Sequence, residues 1–244
     1  MNEKPILFSG EMVRAILEGR KTQTRRVLRV VDGNDKFLAF GIYGKALFTD
    51  NILNAVSGKP HDFLISCPYG LPGDRLWVRE TWRITGWDED GDWCIEYKDG
   101  SSRWFDSVQG VDEDTSVRYW MQCTDDCMKA GIPEDDAGYF TFGPETPCPT
   151  RWRPSIHMPR WASRITLEIV NVRVERLQEI SPNDVVAEGV DGGFGELAQQ
   201  AEYKLFFRAS LRDKFSKLWD SINAPRGYGW DVNPWVWVIE FKKD

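Results

Sequence analysis

What this chain lacks narrows the field first. No stretch of its 244 residues approaches the roughly 18 consecutive apolar residues that span a bilayer. The start, Met1-Asn2-Glu3-Lys4-Pro5, lacks the charged-then-apolar layout of a secretory signal. No membrane partner is expected, and the reading is a cytoplasmic protein. There is no internal repeat, no low-complexity tract, no βαβ alternation and no phosphate-cradling glycine loop, which argues against a nucleotide-binding α/β fold and calls for no cofactor. The five cysteines are an odd number, and cytosolic thiols are normally reduced.

What is present suits a packed protein. The hydrophobic fraction is 41%, enough for a core. Twelve tryptophans are many; most are expected inside, and some could offer faces on which bases stack. The net charge of −7 hides an asymmetry. Arg83 to Phe140 carries fifteen acids and five bases, a balance of −10, so the rest is about +3. Within that rest, Glu11 to Val30 has six bases and two acids, and Arg151 to Arg164 has four arginines and no acid. Basic segments of this kind suit an anionic partner, or are simply solvated.

The densest basic segment is Gly19-Arg20-Lys21-Thr22-Gln23-Thr24-Arg25-Arg26. Ahead of it, Pro5 to Phe8 reads as a strand and Ser9 as an N-cap, followed by the helical stripe Met12, Val13, Ile16, Leu17. Gly19 stops that helix, and Thr22 to Leu28 reads as extended. Residues 32 to 66 are loosely patterned. A turn cluster, Cys67 to Asp74, leads into an expected strand from Arg75 to Trp82. The acidic block, residues 83 to 150, reads as an insertion or subdomain of a single domain spanning 1–244, with a strand near Trp93 to Lys98. Ile165 to Val174 reads as a strand whose apolar parity changes at Ile169 and Val170, which implies a bulge. Ser181-Pro182 opens a short helix running to Glu188 and ending at Gly189. A longer helix is expected from Gly195 to Ile222, and Trp235 to Phe241 is a closing strand.

These residues resemble the ASCH domain, a relative of the PUA RNA-binding barrel. The pattern Gly-x-Lys-x-x-x-x-Arg is matched by Gly19, Lys21 and Arg26, a Gly-Asp pair by Gly73-Asp74, an embedded Glu by Glu188, and the closing strand by Val238 to Lys242. The chain also resembles ASCH-containing proteins of bacteriophages and prophages in its Cys-Pro-Tyr-Gly turn, in Trp77 to Trp82 and in Arg153 to Arg164, while the acidic block is poorly covered. The resemblance implies an α+β fold: a PUA-like mixed β-barrel with flanking helices, decorated by the acidic insertion. Small bacterial ASCH enzymes that hydrolyse N4-acetylcytidine carry Gly-Arg-Lys-Thr-x-Thr-x-Arg, matched by Gly19, Arg20, Lys21, Thr22, Thr24 and Arg26. By that resemblance Thr24 is the nucleophile, Lys21 the general base and Glu188 the proton donor. Those enzymes are much shorter, so the substrate is the least transferable part.

Chemistry sets conditions on this reading. A Thr hydroxyl needs a base, and a Lys near pKa 10.4 serves as one only when burial or neighbouring cations lower its pKa. On a strand Thr22, Thr24 and Arg26 share a face and Lys21 takes the other parity. Lys21 can therefore join Thr24 only from the turn after Gly19. The substrate-binding candidates are Gly19, Arg20, Thr22, Arg26, Glu80, Arg160 and Arg164. Arg151-Trp152-Arg153 and Arg160-Trp161 could hold phosphate and stack bases, or pack as cation–π pairs. Cys123, Cys127, Cys148 and His157 could make a zinc set, or be separate thiols and a packed histidine. The expected partner is RNA or a modified nucleoside, with hydrolysis of an N4-acylated cytidine as the enzymatic form. A ribonuclease and a non-catalytic, phage-encoded interaction module with a protein partner for the acidic insertion are the alternatives.

Overall fold

The computed structural model describes residues 2–29, 36–40, 45–53, 60–87, 92–105, 111–136, 138–143, 145–190 and 204–244. The protein is mixed α+β. It divides into two compact units. One comprises 1–4, 14–76 and 166–244, the other 5–13 and 77–165.

A five-stranded sheet has the order β1 (Glu3–Leu7), β6 (Arg75–Arg79), β10 (Thr166–Arg176), β11 (Trp235–Lys243), β2 (Gln23–Val27). Its ends are not joined: no closed barrel is formed by the described strands. In the first unit β11 lies between β10 and β2, antiparallel to both, with Ile239 opposite Val172 on one side and Thr24 on the other. The β-branched and aromatic run of β11 suits this central place, and Val236, Trp237, Val238, Ile239 and Phe241 are all buried. The register of β10 shifts between Ile169 and Asn171, where the apolar parity changes. Beside the sheet, α3 (Pro182–Ala187) and α4 (Lys204–Asn223) share a core of Leu177, Ile180, Val185, Leu211, Phe215, Trp219, Val236 and Val238. Residues 195–203 of the longer expected helix lie outside the described residues. The loosely patterned stretch contains an antiparallel meander, β3 (Lys36–Phe40), β4 (Lys45–Leu53) and β5 (Pro60–Ser66).

In the second unit β7 (Trp82–Trp87), β8 (Trp93–Tyr97) and β9 (Ser102–Phe105) form an antiparallel sheet. With α2 (Glu113–Lys129) it encloses Trp82, Ile84, Trp93, Ile95, Tyr97, Cys123, Met158 and Ala162. The acidic block is therefore built around a tryptophan-rich core of its own. The continuous strand expected from Arg75 to Trp82 is interrupted. The Glu80 N–H donates to Met158 Sδ at 3.3 Å and the Trp82 N–H to Arg153 O at 3.2 Å, so the chain leaves one sheet before entering the other. Among the described residues, no helix is long and apolar enough to cross a membrane.

Candidate functional site

Two glycine turns build the site in the first unit. The helix α1 (Gly10–Leu17) stops at Gly19, whose φ of 73° is left-handed. The N–H groups of Arg20 and Lys21 both donate to Ala15 O, at 2.9 and 3.0 Å, which ends the helix and redirects the chain. The helix α3 opens on Ser181, whose hydroxyl accepts from Asp184 N–H while Asp184 reaches back, and it ends with Glu188 at the C-cap and Gly189 at φ 86°. The turns meet where Lys21 and Glu188 form an isolated antiparallel bridge and Thr22 N–H donates to Ala187 O at 2.8 Å. A Cβ on Gly189 would lie 3.0 Å from both Ala15 Cβ and Lys21 Cβ, so this approach demands glycine.

The bridge buries a lysine completely. Lys21 Nζ donates to Glu188 Oε2 at 2.7 Å, to Glu188 O at 2.8 Å and to Gln23 O at 2.8 Å. Burial lowers the Lys21 pKa; the Glu188 carboxylate opposes that fall, and the charges of Arg26 and Arg25 add to it. Glu188 Oε1 accepts from Arg25 at 3.3 Å, and Arg25 also reaches Glu175 at 3.0 Å and Asp184 at 3.5 Å. Arg173 continues the network to Glu175, Asp184 and Glu240. Burial raises the Asp184 carboxyl, but Ser181, Arg25 and Gln23 together hold it below its ordinary range. Burial also lowers the half-buried Arg26, opposed by Tyr69 and Glu188 and reinforced by Arg226.

The structure meets the condition on Lys21, which follows directly on the Gly19 turn and precedes β2. Its ammonium faces Glu188, not Thr24. Thr24 is buried on β2 opposite Ile239, and among the described residues no hydrogen bond joins its hydroxyl to Lys21 Nζ. Lys21 and Glu188 are thus brought together and Arg26 acts on both electrostatically, whereas Thr24 is one strand position from the lysine's acceptor, Gln23 O. Thr22 is exposed. Arg20 is held by Glu18 at 2.7 Å and Gly189 O at 3.1 Å. Arg25, with Glu175, Asp184, Arg173 and Glu240, was not singled out from sequence. The signal was strand parity: Arg25 shares the lysine's side of the alternation.

The other candidates belong to the second unit. Arg164 grips Glu80 through two bonds, Nε to Oε1 at 2.9 Å and Nη2 to Oε2 at 2.7 Å, and also reaches Asp99 at 2.8 Å over the Tyr97 ring. Burial nonetheless raises the Glu80 carboxyl. This closed cluster ties the β8–β9 hairpin to Glu80. Arg160 is exposed at the start of a 3-10 turn. Trp152 carries Arg83 and Lys98 over its ring, at 4.6 and 3.9 Å, and Trp161 meets Trp82 and Tyr119 edge-on, so both tryptophans are engaged in packing. Cys123 and Cys127 are buried on α2, Cys148 is half-buried and His157 exposed. Among the described residues no three His, Cys, Asp or Glu side chains are placed to hold a metal. A cavity of about 400 Å³ is lined by Thr141, Phe142, Gly143, Glu145 and Thr146 and contains none of the octet. Compared with models of protein families, with curated proteins and with solved structures, the chain matches none.

Proposed function

We propose that the octet strand recognises RNA or a modified nucleoside and, in the most specific form of this reading, hydrolyses the amide of an N4-acylated cytidine. The observation that carries it is the 2.7 Å contact between the buried Lys21 ammonium and the Glu188 carboxylate. Moving one proton along that contact turns the ion pair into an amine and a carboxylic acid with no change in net charge. Burial favours the neutral amine, and Arg25 and Arg26 help to lower the lysine's affinity for its proton. An amine and an acid side by side are the base and the acid that amide cleavage needs.

Neutral Lys21 takes the Thr24 hydroxyl proton, and Thr24 Oγ1 attacks the amide carbonyl carbon. Glu188 gives its proton to the departing N4 as the C–N bond breaks. Water, deprotonated by Glu188, then attacks the acyl carbon of the Thr24 ester, and Lys21 returns its proton to Thr24 Oγ1 as the C–O bond breaks and the free acid leaves. Lys21 Nζ must turn from Gln23 O to the hydroxyl of the next residue for this to occur. The substrate class is supported by the resemblance of the octet, Gly19 to Arg26, to the motif of the N4-acetylcytidine-hydrolysing ASCH enzymes. The fold that goes with it is a PUA-like barrel to which the five-stranded sheet would contribute.

A second reading, binding without turnover, is favoured by the full engagement of Lys21 Nζ with three oxygens. Incubation with N4-acetylcytidine and chromatography for cytidine separates the two. Loss of the nucleophile predicts a fall of about 10²-fold or more for Thr24→Val, which preserves side-chain shape. Equal cytidine release by the wild type and Thr24→Val would refute hydrolysis at this site. RNA binding without turnover, weakening steeply with salt, would establish the binding reading. RNA cleavage that survives Thr24→Val but not Lys21→Met would establish a ribonuclease.

A further inference from the structure

The helix α2 presents an apolar stripe that the described residues leave largely exposed, with Thr124 at its middle half-buried. Val117, Trp120, Met121, Thr124 and Met128 follow one another at spacings of three, one, three and four residues, so they fall within about 100° of one another around the helix. The four large apolar ones are 49%, 48%, 60% and 60% exposed in that order, Val117, Trp120, Met121, Met128. The inward face carries Cys123 and Cys127, both buried, and Tyr119, packed on the Trp82 cluster. Two faces of one helix are therefore apolar, and only one is used by the core.

Both ends of the outer stripe are acidic. Asp112, Glu113 and Asp114 open the helix; Gly131 turns the chain at its C-terminus, and Glu134, Asp135 and Asp136 follow, all exposed. Between residues 111 and 143 there are eight acids and two bases, a balance of −6. Of the acids in the middle, Asp125 pairs with Lys129 at 2.6 Å and Asp126 with Arg151, so the surplus negative charge sits at the ends of the stripe.

We infer that the Val117–Met128 face of α2 docks a basic amphipathic helix from another protein. The stripe runs over twelve residues, Val117 to Met128, about 16 Å, the length of roughly three turns of a facing helix. Trp120 supplies a large, rigid contact, and the two methionines supply adaptable ones that accept varied apolar partners. Lysines and arginines flanking the partner's apolar face would meet the acidic ends. The same charge distribution disfavours other occupants. A second copy of this chain would set acidic ends against acidic ends in either orientation, and nucleic acid or an anionic membrane would be repelled.

The test uses the full chain and a fluorescein-labelled synthetic helix of roughly five turns, with leucine on one face and lysine on the rest. A second probe has glutamate in place of every lysine. Fluorescence anisotropy should show saturable binding of the lysine helix, weakened by salt, and none of the glutamate helix. The double variant Trp120→Ala, Met121→Ala removes only exposed side chains; it should weaken binding by about tenfold or more with an unchanged circular-dichroism spectrum. Three results would overturn the inference: no saturation by the lysine helix at about 100 µM, a level that corresponds to barely 5 kcal/mol of affinity; equal binding of the two probes; or undiminished binding to the double variant. Sedimentation of the protein alone supplies a fourth. A dimer that dissociates in the double variant would assign the face to a second copy instead.

Discussion

Removing the buried lysine should be costly, and the cost should depend on its partner. In Lys21→Met the side-chain volume is nearly kept, but the Glu188 carboxylate, only 6% exposed, keeps Arg25 alone. The carbonyls of Gln23 and Glu188 also lose the ammonium. Breaking a buried pair from one side costs about 3–5 kcal/mol. In Glu188→Gln the ammonium retains two carbonyl acceptors, so the loss is that of one charge-assisted bond, about 1.5–3 kcal/mol. The double variant leaves neither an unpaired buried carboxylate nor an unpaired ammonium, so it should be more stable than the sum of the singles implies by about 2 kcal/mol. Urea unfolding of the four proteins measures the cycle. For a chain of this size the Lys21→Met loss corresponds to a Tm fall of roughly 6–20 °C. A Lys21→Met cost below about 1 kcal/mol, or a coupling indistinguishable from zero, would refute the reasoning that Glu188 holds the ammonium.

Two further outcomes are expected in the second unit. Burial pushes Asp99 up, but Ser101 and Arg164 outweigh it and hold the carboxyl at about 2 against an ordinary 3.8. Its stabilising contribution is therefore full above about pH 4 and is lost as pH falls towards 2; with the side chain 22% exposed, solvent screening keeps it to about 1 kcal/mol. Wild type and Asp99→Asn should converge in stability across that acid window, and a constant difference would refute the contact. Burial raises the Cys123 thiol to about 11 and the Cys127 thiol to about 12. Iodoacetamide at about pH 8 should therefore leave both unmodified in the native protein and label them after denaturation; peptide mass mapping reads the result, and native labelling of both would contradict their burial.

The local punctuation of the fold was legible because single residues enforce it. Gly19 and Gly189 sit where left-handed turns are required, Ser181-Pro182 starts α3, and the parity change at Ile169 marks the bulge. The run from Trp235 to Phe241 could only be a buried strand. The meander between 36 and 66 was not legible, since its short apolar runs are separated by glycines and polar residues and draw their order from neighbouring strands. The break at Glu80 was hidden as well, because the local pattern continues through it and the cause, Met158 and Arg153, lies far along the chain. In the site, the octet announced Lys21, and parity separated it from Thr24. Parity also placed Arg25 beside Lys21, but its value depended on the carboxylates at 175, 184 and 188, whose convergence no local pattern reveals.

The Lys21–Glu188 contact has a consequence for how the protein is made. Its partners are 167 residues apart in sequence, and the 77–165 segment of the second unit is encoded between them. On a ribosome adding about 5–20 residues per second, Lys21 waits roughly 8 to 33 s before Glu188 exists. Once residue 165 is made the second unit has its complete sequence, while Lys21 and Arg25 still await Glu175, Asp184 and Glu188, the carboxylates that will pair with them. Assembly of the site therefore waits for Glu188, and β11, the strand that pairs with β2, is made later still.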